Sequence, residues 1–117
     1  MSLEILYQIK NEESPFWAFA IHDGHQISEE LIPYIALTDT ERLREEDPYT
    51  AAIADLPINQ FIVDTSRFQL DLNRDLENAV YLHPDQAWGL NVFRANLPSN
   101  YLLELYREHQ SIYYIIE

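Results

Sequence analysis

Two histidines three positions apart, His22 and His25, bracket a glycine where an apolar run ends. That run, Phe16 to Ile21, is apolar at every position, the pattern of a strand covered on both faces inside a sheet. A buried strand that delivers a histidine at its C-terminal end, followed by glycine in a tight turn, is where open α/β sheets place ligands. Imidazole binds metals through either ring nitrogen, and Asp23 has the chemistry of a partner that orients a metal-binding histidine. Two loop histidines at an ordinary turn are an equal reading of the spacing, because the stronger His-Glu-x-x-His pattern is absent.

Two further segments carry clustered polar chemistry. Glu45, Glu46 and Asp47 stand before Pro48 and offer oxygen ligands to a divalent metal. A solvated helix end explains the same charge run and, on spacing alone, explains it better. In Arg67-Phe68-Gln69-Leu70-Asp71-Leu72-Asn73-Arg74, the polar face of a strand would present Asp71 and Asn73 with Arg74 just beyond. Arginine and asparagine together supply donors in a fixed array, suited to clamping a carboxylate. A structural salt bridge between Asp71 and an arginine competes with that reading.

The charge balance narrows the partners. Twenty acidic residues against seven basic ones leave a net charge of −13, and Lys10 is the one lysine. Nucleic acid and anionic membrane both need neutralising basic surface, so neither is expected. An anionic small molecule would be repelled at long range and held only by local arginine contacts. With 47% hydrophobic and 13% aromatic residues in 117, the chain should form one globular domain. It has no cysteine for a disulfide or a thiolate ligand, no apolar run of bilayer length and no signal-peptide layout. A cytoplasmic location is the expectation.

The elements that must position these groups alternate in type. Leu3, Ile5, Tyr7 and Ile9 recur at period two, predicting a strand over residues 3–10 before a turn at 11–15. From Ser28 the pattern turns helical, with Glu29 and Glu30 in the first turn and Leu31, Ile32 and Ile35 on the apolar face. Thr40 to Glu46 is a charged helical stretch closed by Pro48, and Thr50 to Leu56 is another helical piece. Residues 61–64 read as a strand, and Phe68, Leu70 and Leu72 alternate with polar residues as a further one. An irregular region containing Pro84, Trp88 and Gly89 leads to a closing helix from Ser99 to Glu117. The expected class is α/β, a mixed sheet with flanking helices.

Taken in order, the strand-His-x-Gly turn, the acidic Glu46-Asp47 and the Ser66-Arg67-Phe68-x-x-Asp71-Leu72-Asn73-Arg74 block resemble the N-formylglutamate amidohydrolase family. Its members carry a Pro-His-Ser-Gly-like turn and an Arg-Tyr/Phe-x-x-Asp-Leu-Asn-Arg strand, and their fold is similar to zinc carboxypeptidases and aspartoacylases. The resemblance implies half of an α/β/α sandwich, with residues 1–117 as the N-terminal portion of a longer amidohydrolase. It implies His22 as first zinc ligand, Asp47 as the acidic ligand with Glu46 the second choice, and Asn73 and Arg74 gripping the carboxylate of an N-acyl amino acid. Arg67 would support that grip. Ile21 and Asp23 depart from the family's proline and serine, and His25 is an extra candidate ligand. The third ligand and the general base usually arise later in such chains; neither His83 nor His109 sits in a matching context. The competing expectation is a non-catalytic acidic binding or assembly domain, with self-association covering the Ile112–Ile116 run.

Overall fold

The computed structural model describes residues 3–46, 57–94 and 96–116. Three strands, β1 (Tyr7–Lys10), β2 (Trp17–Ala20) and β3 (Asn59–Val63), form a sheet of order β1-β3-β2. β3 runs antiparallel to β1 and parallel to β2, so the sheet is mixed. Among the described residues two α-helices accompany it, α1 (Asp39–Glu45) and α2 (Ser99–Ile116). The class is α/β.

Local chemistry explains most boundaries. α1 begins at a capping box: the Thr38 hydroxyl accepts from the Glu41 amide at 3.1 Å, and the Glu41 carboxylate accepts from the Thr38 amide at 2.9 Å. α2 is amphipathic, burying Leu105, His109 and Ile112 while Leu103 and Tyr114 face water. Its buried side braces the segment below the candidate site. His109 Nε2 lies 2.8 Å from the Arg74 carbonyl oxygen, and the Tyr113 hydroxyl donates to that of Leu72. Within the Ile112–Ile116 run, Ile112 is buried, whereas Tyr114 and Ile115 are exposed. No helix among the described residues is long and apolar enough to cross a membrane.

Several expected elements take another form. The first strand is shorter than its alternation, because the amides of residues 5 and 6 go to side chains, although the Leu6 carbonyl still accepts from the Asp64 amide at 2.7 Å. Ile5 donates to Glu108 at 3.3 Å and Leu6 to the Thr65 hydroxyl at 2.8 Å. β2 is an outer strand, not an interior one, and leaves Trp17 and Phe19 about half exposed (48% and 50%). Those rings continue an aromatic row, Trp17–Phe19–Phe61–Tyr7, with centroid separations of 5.2 to 6.2 Å.

The helix expected from Ser28 is a series of turns ending in a 3-10 turn at Ile32–Tyr34. The strand expected over Phe68 to Asn73 is likewise turn structure. One interaction accounts for both. Gln69 is buried, accepts from the Ser28 amide at 2.7 Å and donates to the Ser28 hydroxyl at 2.8 Å, so Ser28 is spent on a tertiary contact. With Gln69 and Asp71 as buried as Phe68 and Leu70, the polar–apolar alternation never separated two faces. The helical piece expected at 50–56 lies outside the described residues.

The parallel pairing of β2 and β3 continues beyond the strands. Gln26 bridges Thr65, with Gln26 N donating to Asp64 O at 3.2 Å and Ser66 N to Gln26 O at 2.8 Å. Both chains therefore leave the sheet together, at their C-terminal ends, carrying His22 and His25 on one side and Ser66 and Arg67 on the other.

Candidate functional site

At this sheet end two buried carboxylates each gather a set of donors. Asp71, with no exposed surface, is the first centre. Its Oδ1 lies 2.7 Å from His22 Nε2 and accepts from the Asn73 amide at 2.8 Å. Its Oδ2 accepts from Arg67 Nη2 at 3.1 Å, stands 3.5 Å from Arg74 Nε, and takes the Tyr81 hydroxyl. Burial would raise the Asp71 carboxyl. The hydrogen bonds from His22, Tyr81 and the Asn73 amide outweigh it and hold the group well below the ordinary aspartate range. Burial, then the adjacent Asp71 charge, push the Tyr81 hydroxyl above its ordinary range, so it stays a donor.

Glu46 is the second centre, also buried. Its Oε1 lies 2.6 Å from His25 Nδ1; its Oε2 accepts from Arg42 Nη1 at 3.1 Å and from the Ser66 hydroxyl. Arg42 also donates to the His25 carbonyl at 2.7 Å and lies 3.3 Å from His25 Nε2. Arginine only donates, so this contact fits a lone pair on Nε2 and the ring proton on Nδ1, aimed at Glu46. Arg67 ties the two centres together through a 3.1 Å bond from Nη1 to the Glu45 carbonyl.

Gly24 makes the juxtaposition possible. A Cβ at this position would lie 2.3 Å from the Asp64 carbonyl carbon and 2.4 Å from its oxygen. The backbone between His22 and His25 therefore runs directly against the backbone after β3.

Above Asp71 sits a ring of cations and aromatics. The Arg74 guanidinium lies 4.8 Å over the Tyr81 ring, Tyr81 meets Trp88 edge-on at 6.3 Å, and the Arg67 guanidinium lies 4.8 Å over the Trp88 ring. Arg67 Nε closes the ring by donating to the Tyr81 hydroxyl at 3.0 Å. Trp88 reaches this place in an unfavourable backbone. Leu90 N donates to Ala87 O at 2.8 Å across a turn whose central residues, Trp88 and Gly89, have φ of 53° and 83°. Two positive φ values define a type I′ turn, ordinarily filled by Asn-Gly. A bulky residue held there costs about 1–3 kcal/mol.

The expected site residues thus fall into distinct positions. His22, Arg67 and Arg74 meet at Asp71, and Glu46 stands at the neighbouring centre. Asn73 reaches Asp71 through its backbone amide while its side chain is exposed. Asp47 lies outside the described residues. The competing salt-bridge account of Asp71 describes Arg67 well and Arg74 less closely. Among the described residues no three histidine, aspartate or glutamate side chains gather as a metal-holding group.

Tyr81, Arg42 and Trp88 join the site without belonging to any of the sequence motifs that point to it. A hydroxyl inside the apolar Ala79-Val80-Tyr81-Leu82 run was the available signal, since a buried phenol needs a partner. Neither of two surface clefts, of about 250 and 410 Å³, is lined by the Asp71 group; both include Arg94. No family model matches this chain, and no curated protein or solved structure matches it.

Proposed function

We propose that this chain carries the metal-binding and carboxylate-gripping side of an amidohydrolase acting on an N-acyl amino acid of the N-formylglutamate type. One observation carries the reading: the His22 imidazole and the Arg74 guanidinium, 52 positions apart in sequence, converge on a single buried carboxylate, Asp71. That convergence supports the resemblance of the Asp-Leu-Asn-Arg block to the amidohydrolase family.

The residues fit a zinc ion in part. A carboxylate on Nε2 is the usual way to fix a metal-binding imidazole. Asp47 would join His22. Glu46 suits the role less, because Arg42, His25 and Ser66 already occupy both its oxygens. Zinc, when bound, supplies a polarised carbonyl and an activated water. The chain's own residues do the positioning. Arg74 meets Asp71 through Nε, and its terminal nitrogens carry no hydrogen bond among the described residues, which leaves a fork for a ligand carboxylate. Asp71 keeps both arginines and His22 oriented.

Zinc titration by calorimetry at neutral pH tests the metal role: uptake is expected, and His22→Ala should abolish it. A folded protein that takes up no zinc would remove that role. For the grip, Arg74→Lys should weaken N-formyl-L-glutamate binding by about ten-fold, since a planar two-pronged donor becomes a point charge. Equal affinity in that variant would remove the clamp. The alternative of an acidic assembly domain draws on the half-exposed Ile9, Trp17 and Phe19 on the sheet. Concentration-dependent sedimentation lost in Trp17→Ser, together with absent zinc uptake, would favour it.

A further inference from the structure

Trp88 presents a mismatch between cost and structural return. Its backbone occupies the left-handed region, where glycine or asparagine belongs, yet the residue is 53% exposed and therefore contributes little to the core. Gly89 beside it has open space around it, so the turn is not forced by crowding there. What the conformation achieves is placement. One side of the indole rests on the Arg67 guanidinium, and its edge meets Tyr81, the same ring that carries Arg74. A strained, solvent-facing aromatic stacked on Arg67 and edge-on to the tyrosine that carries Arg74 has the arrangement of a ligand wall, not of a packing residue.

We propose that Trp88 is a ligand-contacting residue, whose outward indole surface stacks on the flat acyl–amide portion of a small molecule while Arg74 takes that molecule's carboxylate. The two groups divide the recognition. Arg74 selects for charge, and Trp88 selects for a planar, uncharged group attached nearby. The chain's charge of −13 makes the second contact valuable, since long-range attraction cannot help an anion bind. This inference rests on the carboxylate grip proposed above but needs neither bound metal nor turnover.

The chain has two tryptophans, so Trp17→Phe leaves Trp88 as the one indole and gives a direct reporter. Its fluorescence should change saturably with N-formyl-L-glutamate and with N-benzoyl-L-glutamate, the wider acyl group binding about five-fold tighter through stacking. By calorimetry, Trp88→Asn should remove that preference and weaken the benzoyl compound by about five-fold, with Trp88→Phe intermediate. Its melting temperature should be no lower than the parent's, because asparagine accepts this backbone. Binding that is lost in Arg74→Lys but unchanged in Trp88→Asn, with silent fluorescence, overturns the inference and leaves the grip standing. Binding that weakens in Trp88→Asn but not in Arg74→Lys supports the stacking contact and overturns the grip. A lower melting temperature with unchanged affinity makes Trp88 structural and overturns the inference. No binding of either compound to the parent overturns both.

Discussion

Asp71→Asn should lower the unfolding free energy by about 3–5 kcal/mol, the cost of leaving buried cations without their counter-charge. The carboxylate is fully buried and serves Arg67, Arg74, His22 and Tyr81 at once. Asparagine matches the shape but turns one acceptor into a donor facing other donors. Since a domain of this size has roughly 5–15 kcal/mol in total, the variant should melt about 15 °C lower. Urea titration followed by circular dichroism measures it, and a loss under about 1 kcal/mol would mean the cluster is not the anchor described. Pairing the change with Arg67→Met should recover part of the loss, because the orphaned cation goes with it.

The same carboxylate sets a pH dependence. Its value in the folded chain lies below its ordinary 3.8, so its contribution is fully present above about pH 4 and is lost as the pH falls through the folded value. The parent should therefore lose stability more steeply than Asp71→Asn when acidified below pH 4. Parallel slopes for the two proteins would contradict this.

How far the sequence announced all this depended on whether a residue's role was local. Thr38 and Glu41 fixed the start of α1 by contacts three residues apart, and the α2 stripe needed just one apolar face. β3 was legible as an apolar run. The position of His22 just past the end of β2 is legible for a local reason too, the abrupt stop of the apolar Phe16–Ile21 run before Gly24. The failures were tertiary. Ser28 has every mark of a helix cap, but Gln69, 41 positions away, takes its amide and hydroxyl. Asp71 and Gln69 looked like a polar strand face because alternation cannot reveal that the polar residues have buried partners waiting. β2 looked interior because an apolar outer strand and an apolar inner one read alike. Trp88 gave no signal, since nothing in Ala87-Trp88-Gly89-Leu90 announces positive φ at the tryptophan.

Gly24→Ala and Gly89→Ala should separate the two uses of glycine in this chain. At Gly89 a methyl group meets nothing within 4 Å, and the one penalty is φ of +83°, about 1–2 kcal/mol. At Gly24 the same methyl would enter the Asp64 and Thr65 carbonyls at 2.3 to 2.6 Å, and no flexible side chain is there to yield. The backbones must part, at about 3 kcal/mol or more. Parting them also breaks the Gln26–Thr65 bridge, which holds His22 and His25 in register with the chain that carries Ser66, Arg67 and Asp71. Ligand binding should therefore fall in Gly24→Ala at temperatures where the variant is still folded by circular dichroism, and should survive in Gly89→Ala unless Trp88 is displaced. Equal melting temperatures for the two variants would show that the close approach of these backbones is not what positions the site.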